Sequence, residues 1–283
     1  MNLSCVTIQA GLPRPVRLLH LSDTHLCFAD DRDCQRKRDL AASRIRYFSG
    51  ANETLESYLD EAVAFARQHD CLIVHTGDLI DFVSHRNLEK LRERLALADT
   101  FFAVGNHEYS LFVGEAKEDT AYKMQSFHQV QDAAPNPIEY ASRQLGGLIL
   151  VAFDNGYYRF SPEHLDFLKA ELQRGLPTIL LIHNPIHTEN LARHMRDIRK
   201  EPCAYLCGSP QHWLETYSEH RREQQTPDQP TLDFIAFATR QPLVKAVLAG
   251  HLHFQFADLI TPTLPQFVAG AGFHNQATLV NVI

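Results

Sequence analysis

The sequence predicts an α/β fold that carries its chemistry at the ends of buried strands. Three observations support this class. Short β-rich runs alternate with helix-like stretches along the chain. Most of these runs are continuously apolar, as expected of strands covered on both faces. Five of them stop at an Asp, Asn or His.

VRLLHLS (16–22) is followed by Asp23-Thr24-His25. ETLESYLDEAVAFARQ (53–68) then places Leu55, Leu59, Ala62, Val63 and Ala66 on one helical stripe. CLIVHT (71–76) and TFFAV (100–104) read as strands that run into Gly77-Asp78 and Gly105-Asn106-His107. LILVAF (148–153) is a further strand, and the Asp154-Asn155 pair at its end could line a pocket. SPEHLDFLKAELQRG (161–175) has a Ser cap, Pro at the first helical position and a terminal Gly, so it reads as a helix. TILLI (178–182) leads to His183, and KAVLA (245–249) to Gly250-His251-Leu252-His253. Beyond 253, FQFADLI, PQFVAGAGF and ATLVNVI read as strands joined by turns containing Pro and Gly.

No internal repeat, low-complexity linker or break in composition divides the chain, so residues 1–283 read as one domain. The longest irregular stretch lies at 187–231, a candidate lid or specificity insertion. Within it Leu191, Met195 and Ile198 could share one helical face, while Arg193, Arg196 and Lys200 read as a solvated basic face.

The 283 residues are 45% hydrophobic and 22% charged, the balance of a soluble protein able to bury its own core. A formal net charge of -7 argues against a broad basic surface for nucleic acid or anionic lipid. No stretch approaches the roughly 20 apolar residues needed to cross a bilayer, and the N-terminal residues do not read as a signal peptide. The six scattered cysteines fit free thiols in a reducing cytoplasm. Cys203 and Cys207 read as unrelated thiols because no second close pair accompanies them.

Open α/β sheets bind ligands at the carboxyl ends of their strands, so residues far apart in sequence can converge there. In extended backbone, positions i and i+2 point to one side, which would pair Asp23 with His25 and His251 with His253. The glycines before Asp78, Asn106 and His251 permit tight turns and close backbone approach. Carboxylate and amide oxygens mixed with imidazoles suit manganese, iron or zinc. Seven such groups are too many for one tetrahedral ion and suit two ions sharing a carboxylate, the usual clamp for in-line attack on phosphorus.

In this order Asp-x-His, Gly-Asp, Gly-Asn-His-Glu, a later His and Gly-His-x-His resemble the calcineurin-like metallophosphoesterases. The resemblance spans residues 23–253. It implies a four-layer αββα sandwich with two mixed β-sheets. It also implies that Asp23, His25 and His253 hold one divalent or mixed-valence ion, Asn106, His183 and His251 a second, and that Asp78 bridges them. The nucleophile it implies is a hydroxide between the ions. His107 matches the family histidine that stays off the metals and acts near the leaving oxygen, which also places Asn106 and His107 against substrate. Asp81 matches an acid that orients this histidine in some members; a helix-capping role is its alternative. Glu108 reads as a first-turn helix acid, its alternative being a hydrogen-bond acceptor behind the metal ligands. His20, His75 and His187 match no family ligand and read as core or surface residues.

The reaction so implied is hydrolysis of a small phosphoester, a nucleotide among the candidates, and more often a diester than a monoester. Phosphomonoesterase and nucleotide pyrophosphatase are the alternatives. Phe82 stands where protein serine/threonine phosphatases place an arginine, which argues against that branch. A non-catalytic scaffold of the same fold would be expected to lack some of these ligands, and all seven are present with His107.

Overall fold

In a computed structural model that describes residues 1–115 and 118–283, eleven strands form two sheets. They are β1 (Asn2–Ile8), β2 (Val16–Leu21), β3 (Leu72–His75), β4 (Thr100–Phe102), β5 (Tyr140–Leu145), β6 (Leu148–Phe153), β7 (Thr178–Leu181), β8 (Val244–Ala249), β9 (Phe256–Thr261), β10 (Leu264–Val268) and β11 (Gln276–Val282). One sheet has the order β1-β11-β2-β3-β4 and the other β5-β6-β7-β8-β10-β9. Both are mixed. β2, β3 and β4 run parallel, as do β6, β7 and β8, while β11 is antiparallel to β2 and β5 to β6.

The continuous apolar runs have a direct structural reason, because adjacent residues enter different cores. Leu18, Val74 and Phe101 pack between the sheets against Leu150, Leu181 and Leu248. Leu19, Ile73 and Phe102 face outward to helices, as do Ile149, Leu180 and Val247 on the other side. The outer helices on the first sheet include α1 (Gln35–Phe48), α2 (Asn52–His69), α3 (His85–Leu95) and, after the short α4 (Thr120–Met124), α5 (Phe127–Ala133). α6 (Pro162–Leu172) covers the second sheet with a helix considered below. The result is helix, sheet, sheet, helix in four layers.

The anticipated stripe of α2 is its buried face, with Leu55 and Ala66 at most 1% exposed. α6 begins at Ser161, whose side chain accepts the His164 N–H, and ends before Gly175, which takes φ +72. β1 and β5 were not apparent in the sequence. The apolar residues of β1 are interrupted by Ser4 and Thr7 and only Ile8 is fully buried, so no continuous apolar run marks it. The run PQFVAGAGF is a strand only to Val268, and Gly272–His274 forms a single 3₁₀ turn.

The 187–231 segment is not irregular. It contains α7 (Glu189–Arg193), α8 (Gln211–Leu214), α9 (Glu219–Gln225) and the start of α10 (Gln229–Ala238), the helix that joins α6 over the second sheet. Leu191, Met195, Trp213 and Tyr217 form a small core with Leu252. Ile198 does not join them. The helix widens to π geometry over His194–Ile198, and that wider turn leaves Ile198 67% exposed. Cys203 and Cys207 are both buried free thiols. Among the described residues, no helix is long and apolar enough to cross a membrane.

Candidate metal centre

The parallel strands of both sheets end at one place. β2 delivers Asp23 and His25, β3 delivers Asp78, and β4 delivers Asn106 and His107. From the second sheet, β7 delivers His183 and β8 delivers His251 and His253. Backbone bonds tie these strand ends together: Asp23 N–H donates to the Gly77 carbonyl at 3.0 Å, and Gly250 N–H to the His183 carbonyl at 3.0 Å. The His251 N–H crosses between sheets to Asp23 Oδ2 at 2.9 Å.

The paired residues do not converge through extended backbone. Asp23, His25, His251 and His253 all take positive φ, from +52 to +72, and Asp78 takes +56. Such values are uncommon away from glycine, and their concentration here marks a site where surrounding contacts hold the chain. The glycines serve different ends. Gly77 takes φ +95, whereas Gly105 and Gly250 allow close approach: a Cβ at Gly250 would lie 2.8 Å from Asp23 Oδ2.

The donor atoms fall into groups with ligating reach. Asp23, His25 and His253 form one, and Asp78, His183 and His251 another. Hydrogen bonding fixes which nitrogens face inward. His25 Nδ1 donates to Asp81 Oδ1 at 2.9 Å, and His183 Nδ1 to the Thr76 carbonyl at 2.6 Å. Each Nε2 lone pair therefore points at other acceptors. His183 Nε2 lies 3.1 Å from Asp78 Oδ2 and His25 Nε2 lies 3.8 Å from the same oxygen. His25 Nε2 also meets His253 Nε2 at 3.1 Å, and His183 Nε2 meets His251 Nδ1 at 3.2 Å. Asn106 Oδ1 is buried with no hydrogen-bond partner among the described residues.

Acceptors gathered around acceptors in a buried site call for cations between them. The field of the carboxylates acts in the same sense. Burial alone would lower the His183 imidazole, but Asp78 and Asp23 outweigh it and push it up to about 9. The residues thus fit divalent ions of the kind their mixed O and N donors suit.

His107 forms a third group with His25 and Asp78, which lie within ligating reach of it. Its Nδ1 donates to the Asp81 carbonyl oxygen at 2.7 Å and lies 3.1 Å from Asp81 Oδ1. Asp81 is fully buried, contacts both His25 and His107, and is clamped by Arg44 at 2.6 and 3.0 Å. It caps no helix; Ser84 caps α3.

Three further residues support the site: Glu108 and Asn155, singled out in the sequence without these contacts, and Tyr158, which was not. Glu108 lies in a 3₁₀ turn, but its side chain turns inward, fully buried, and accepts the N–H groups of Asp78, Leu79, Ile80 and Gly105. The signal in the sequence is its place beside His107, where it reads first as a first-turn helix acid; the structure makes it the acceptor that was the alternative. Asn155 is buried, and its Oδ1 accepts the N–H groups of His183 and Asn184. Tyr158 Oη lies 2.8 Å from His251 Nε2; no spacing rule points to it. His20 and His75 are buried core residues, and His187 sits near Trp213 in the small core of the 187–231 segment.

A cavity of about 410 Å³ opens over Asn106, His107 and His251, with Phe112, Tyr205 and Arg221 on its walls. A larger one, about 720 Å³, lies around Lys123, Tyr157 and Arg159 and contains none of the grouped donors. The smaller cavity is the one that adjoins the chemistry.

A sequence profile of the family described as calcineurin-like phosphoesterase matches residues 16–255. A protein of Rhodococcus erythropolis named "Probable cyclic nucleotide phosphodiesterase" is 27% identical over 292 residues, which covers 96% of this chain and 76% of the relative. Among solved structures, a dimetal phosphatase from Danio rerio is 13% identical, with a TM-score of 0.49 over 91% of this chain and 88% of its own. The phosphopantetheinyl hydrolase of Mycobacterium tuberculosis is 13% identical, with a TM-score of 0.43 over 94% and 90%.

Proposed function

This chain belongs to the calcineurin-like phosphoesterase family and is a hydrolase acting on phosphate esters, and from that premise we propose that it cleaves a phosphodiester with two metal ions. One observation carries the two-ion reading: His25 Nε2 and His183 Nε2 lie 3.8 and 3.1 Å from the same Asp78 oxygen, their other nitrogens already bonded. Asp23, His25 and His253 would hold one ion, Asn106, His183 and His251 the other, and Asp78 would be shared. When bound, such a pair supplies charge neutralisation at phosphorus and water of lowered pKa. Manganese, iron and zinc suit this donor set.

His107 would serve the leaving oxygen. Its Nδ1 is held by Asp81, which leaves Nε2 for the cavity. In the metal-free chain burial works against the charged imidazole, but Asp78 and Asp81 outweigh it and push the group up to about 10. With ions on Asp78, the bond to Asp81 is what would still favour the donor form. Asp81 would orient both His107 and His25. The 187–231 segment would act in specificity, since Tyr205 and Arg221 wall the cavity. The free cysteines fit a reducing cytoplasm.

The diester preference is supported by the name of the R. erythropolis relative, which covers nearly the whole chain. Turnover of bis-p-nitrophenyl phosphate, p-nitrophenyl phosphate, 3′,5′-cyclic nucleotides and dinucleotides, each with added Mn²⁺, Zn²⁺ or Fe²⁺, tests it. Hydrolysis of diesters ahead of the monoester is the expected result. Monoester turnover with inert diesters would make the chain a phosphomonoesterase, and no turnover of any ester would sink the enzymatic reading.

A further inference from the structure

Tyr158 is held in a conformation that bulky residues avoid. Its φ is +61, and its side chain is 2% exposed. An outlier of this kind persists only where its surroundings over-determine it. Here they do. Tyr158 N–H donates to the Asn155 carbonyl at 2.8 Å. Asn155 and Asn184 exchange amide–carbonyl bonds at 2.7 Å each. Gly156 N–H donates to Asp154 Oδ1 at 3.0 Å, and Tyr109 Oη donates to Asp154 Oδ2 at 2.7 Å. The loop after β6 is thus fastened at each residue from 154 to 158 except Tyr157, whose hydroxyl has no hydrogen-bond partner among the described residues.

What this arrangement delivers is one phenol oxygen, 2.8 Å from His251 Nε2. The imidazole carries a single proton when neutral. If that proton sat on Nδ1 it would face His183 Nε2, 3.2 Å away, and block the inward position. With the proton on Nε2, donated to the tyrosine oxygen, Nδ1 presents a lone pair beside those of His183 and Asp78. The ring partner of a ligating histidine fixes its tautomer and orientation in this way.

We infer that Tyr158 is the positioning residue for His251, accepting its Nε2 proton and so freeing Nδ1 for the second ion; this rests on the two-ion reading above. The loop after β6 then serves both histidines of one ion, since Asn155 holds the His183 backbone while Tyr158 holds the His251 ring.

The test is titration of the chelator-stripped full chain with Mn²⁺, followed by electron paramagnetic resonance, for the parent, Tyr158→Phe and Tyr157→Phe. The parent and Tyr157→Phe should bind two ions and give a spin-coupled signal. Tyr158→Phe should bind the first ion normally and the second about 10–100-fold more weakly, with the coupled signal lost at matched Mn²⁺. Its metal-free thermal midpoint should equal the parent's. Normal binding of both ions by Tyr158→Phe would overturn the inference. Equal weakening of both ions with a lower metal-free midpoint would also overturn it, because the tyrosine would then only hold the loop. A parent that binds no Mn²⁺ would remove the two-ion reading and this inference with it.

Discussion

The carboxylate of Glu108 accepts the backbone N–H of Asp78 at 2.8 Å, so a side chain outside the donor groups helps set where Asp78 stands. The same carboxylate accepts Leu79 and Gly105 N–H at 2.7 Å and Ile80 N–H at 3.2 Å. Burial and the nearby Asp78 raise this carboxyl to about 7, while the amides pull the other way. Glu108→Ala should strand these buried donors, each costing about 1–3 kcal/mol, and lower stability by at least about 3 kcal/mol. Urea denaturation of the metal-free protein measures this; a loss below about 1 kcal/mol would show that the cradle is dispensable.

Metal removal should be visible in stability as well as in activity. An ion that binds only the folded chain stabilises it by about 2.7 kcal/mol at a hundred times its dissociation constant. Chelation should therefore lower the thermal midpoint of the parent. Asp78→Ala, lacking the oxygen that faces both His25 and His183, should bind neither ion, show no turnover and melt at one temperature with or without chelator. Retention of two ions by that variant, measured by elemental analysis, would contradict a shared role.

His107→Ala should keep its metal and lose about 10²–10⁴-fold in kcat, the usual range for a positioned proton donor. The loss should be greatest for alkyl esters and least for p-nitrophenyl esters, whose leaving group needs little protonation. Equal losses on both would argue that His107 does not serve the leaving oxygen. Asp81→Asn should act more broadly, lowering metal affinity through His25 and kcat through His107, because one carboxylate contacts both.

Acid should destabilise the fold in part through His164. Burial lowers this imidazole to about 4, against about 6.5 in an unfolded chain. Between those values the unfolded state binds the extra proton, so stability present above about pH 6.5 is lost as pH falls toward 4. His164 Nδ1 accepts the Ser161 N–H in the α6 cap, and glutamine is an accepted residue at that capping position. His164→Gln should keep the helix and flatten the decline by about one proton between pH 6.5 and 4.5. Urea midpoints across that range check this, and parallel curves for variant and parent would refute it.

Much of the site was legible because its parts are local. Apolar strands that stop at Asp, Asn or His need only a few consecutive residues to be recognised, and the helical stripe of α2 is likewise a local period. The 187–231 segment was less legible. Its helices α7, α8 and α9 are short, from 4 to 7 residues, and are held by a small core that includes Leu252 from the far side of β8. β1 is hidden for a similar reason, since its pairing with β11 joins the two ends of the chain.

The sequence by itself determined the fold class, the strand ends and the identity of the donor groups, because hydrophobic periodicity and side-chain chemistry are properties of residues in order. Tertiary structure decided how those donors are aimed. The left-handed backbone at Asp23, His25, Asp78, His251 and His253 replaces the extended geometry their spacing suggested. Which histidine nitrogen faces inward is set by Thr76, Asp81 and Tyr158, from other strands and loops. A ring's tautomer and a carboxylate's position depend on hydrogen-bond partners brought together only when two sheets pack, and no local pattern in the chain records them.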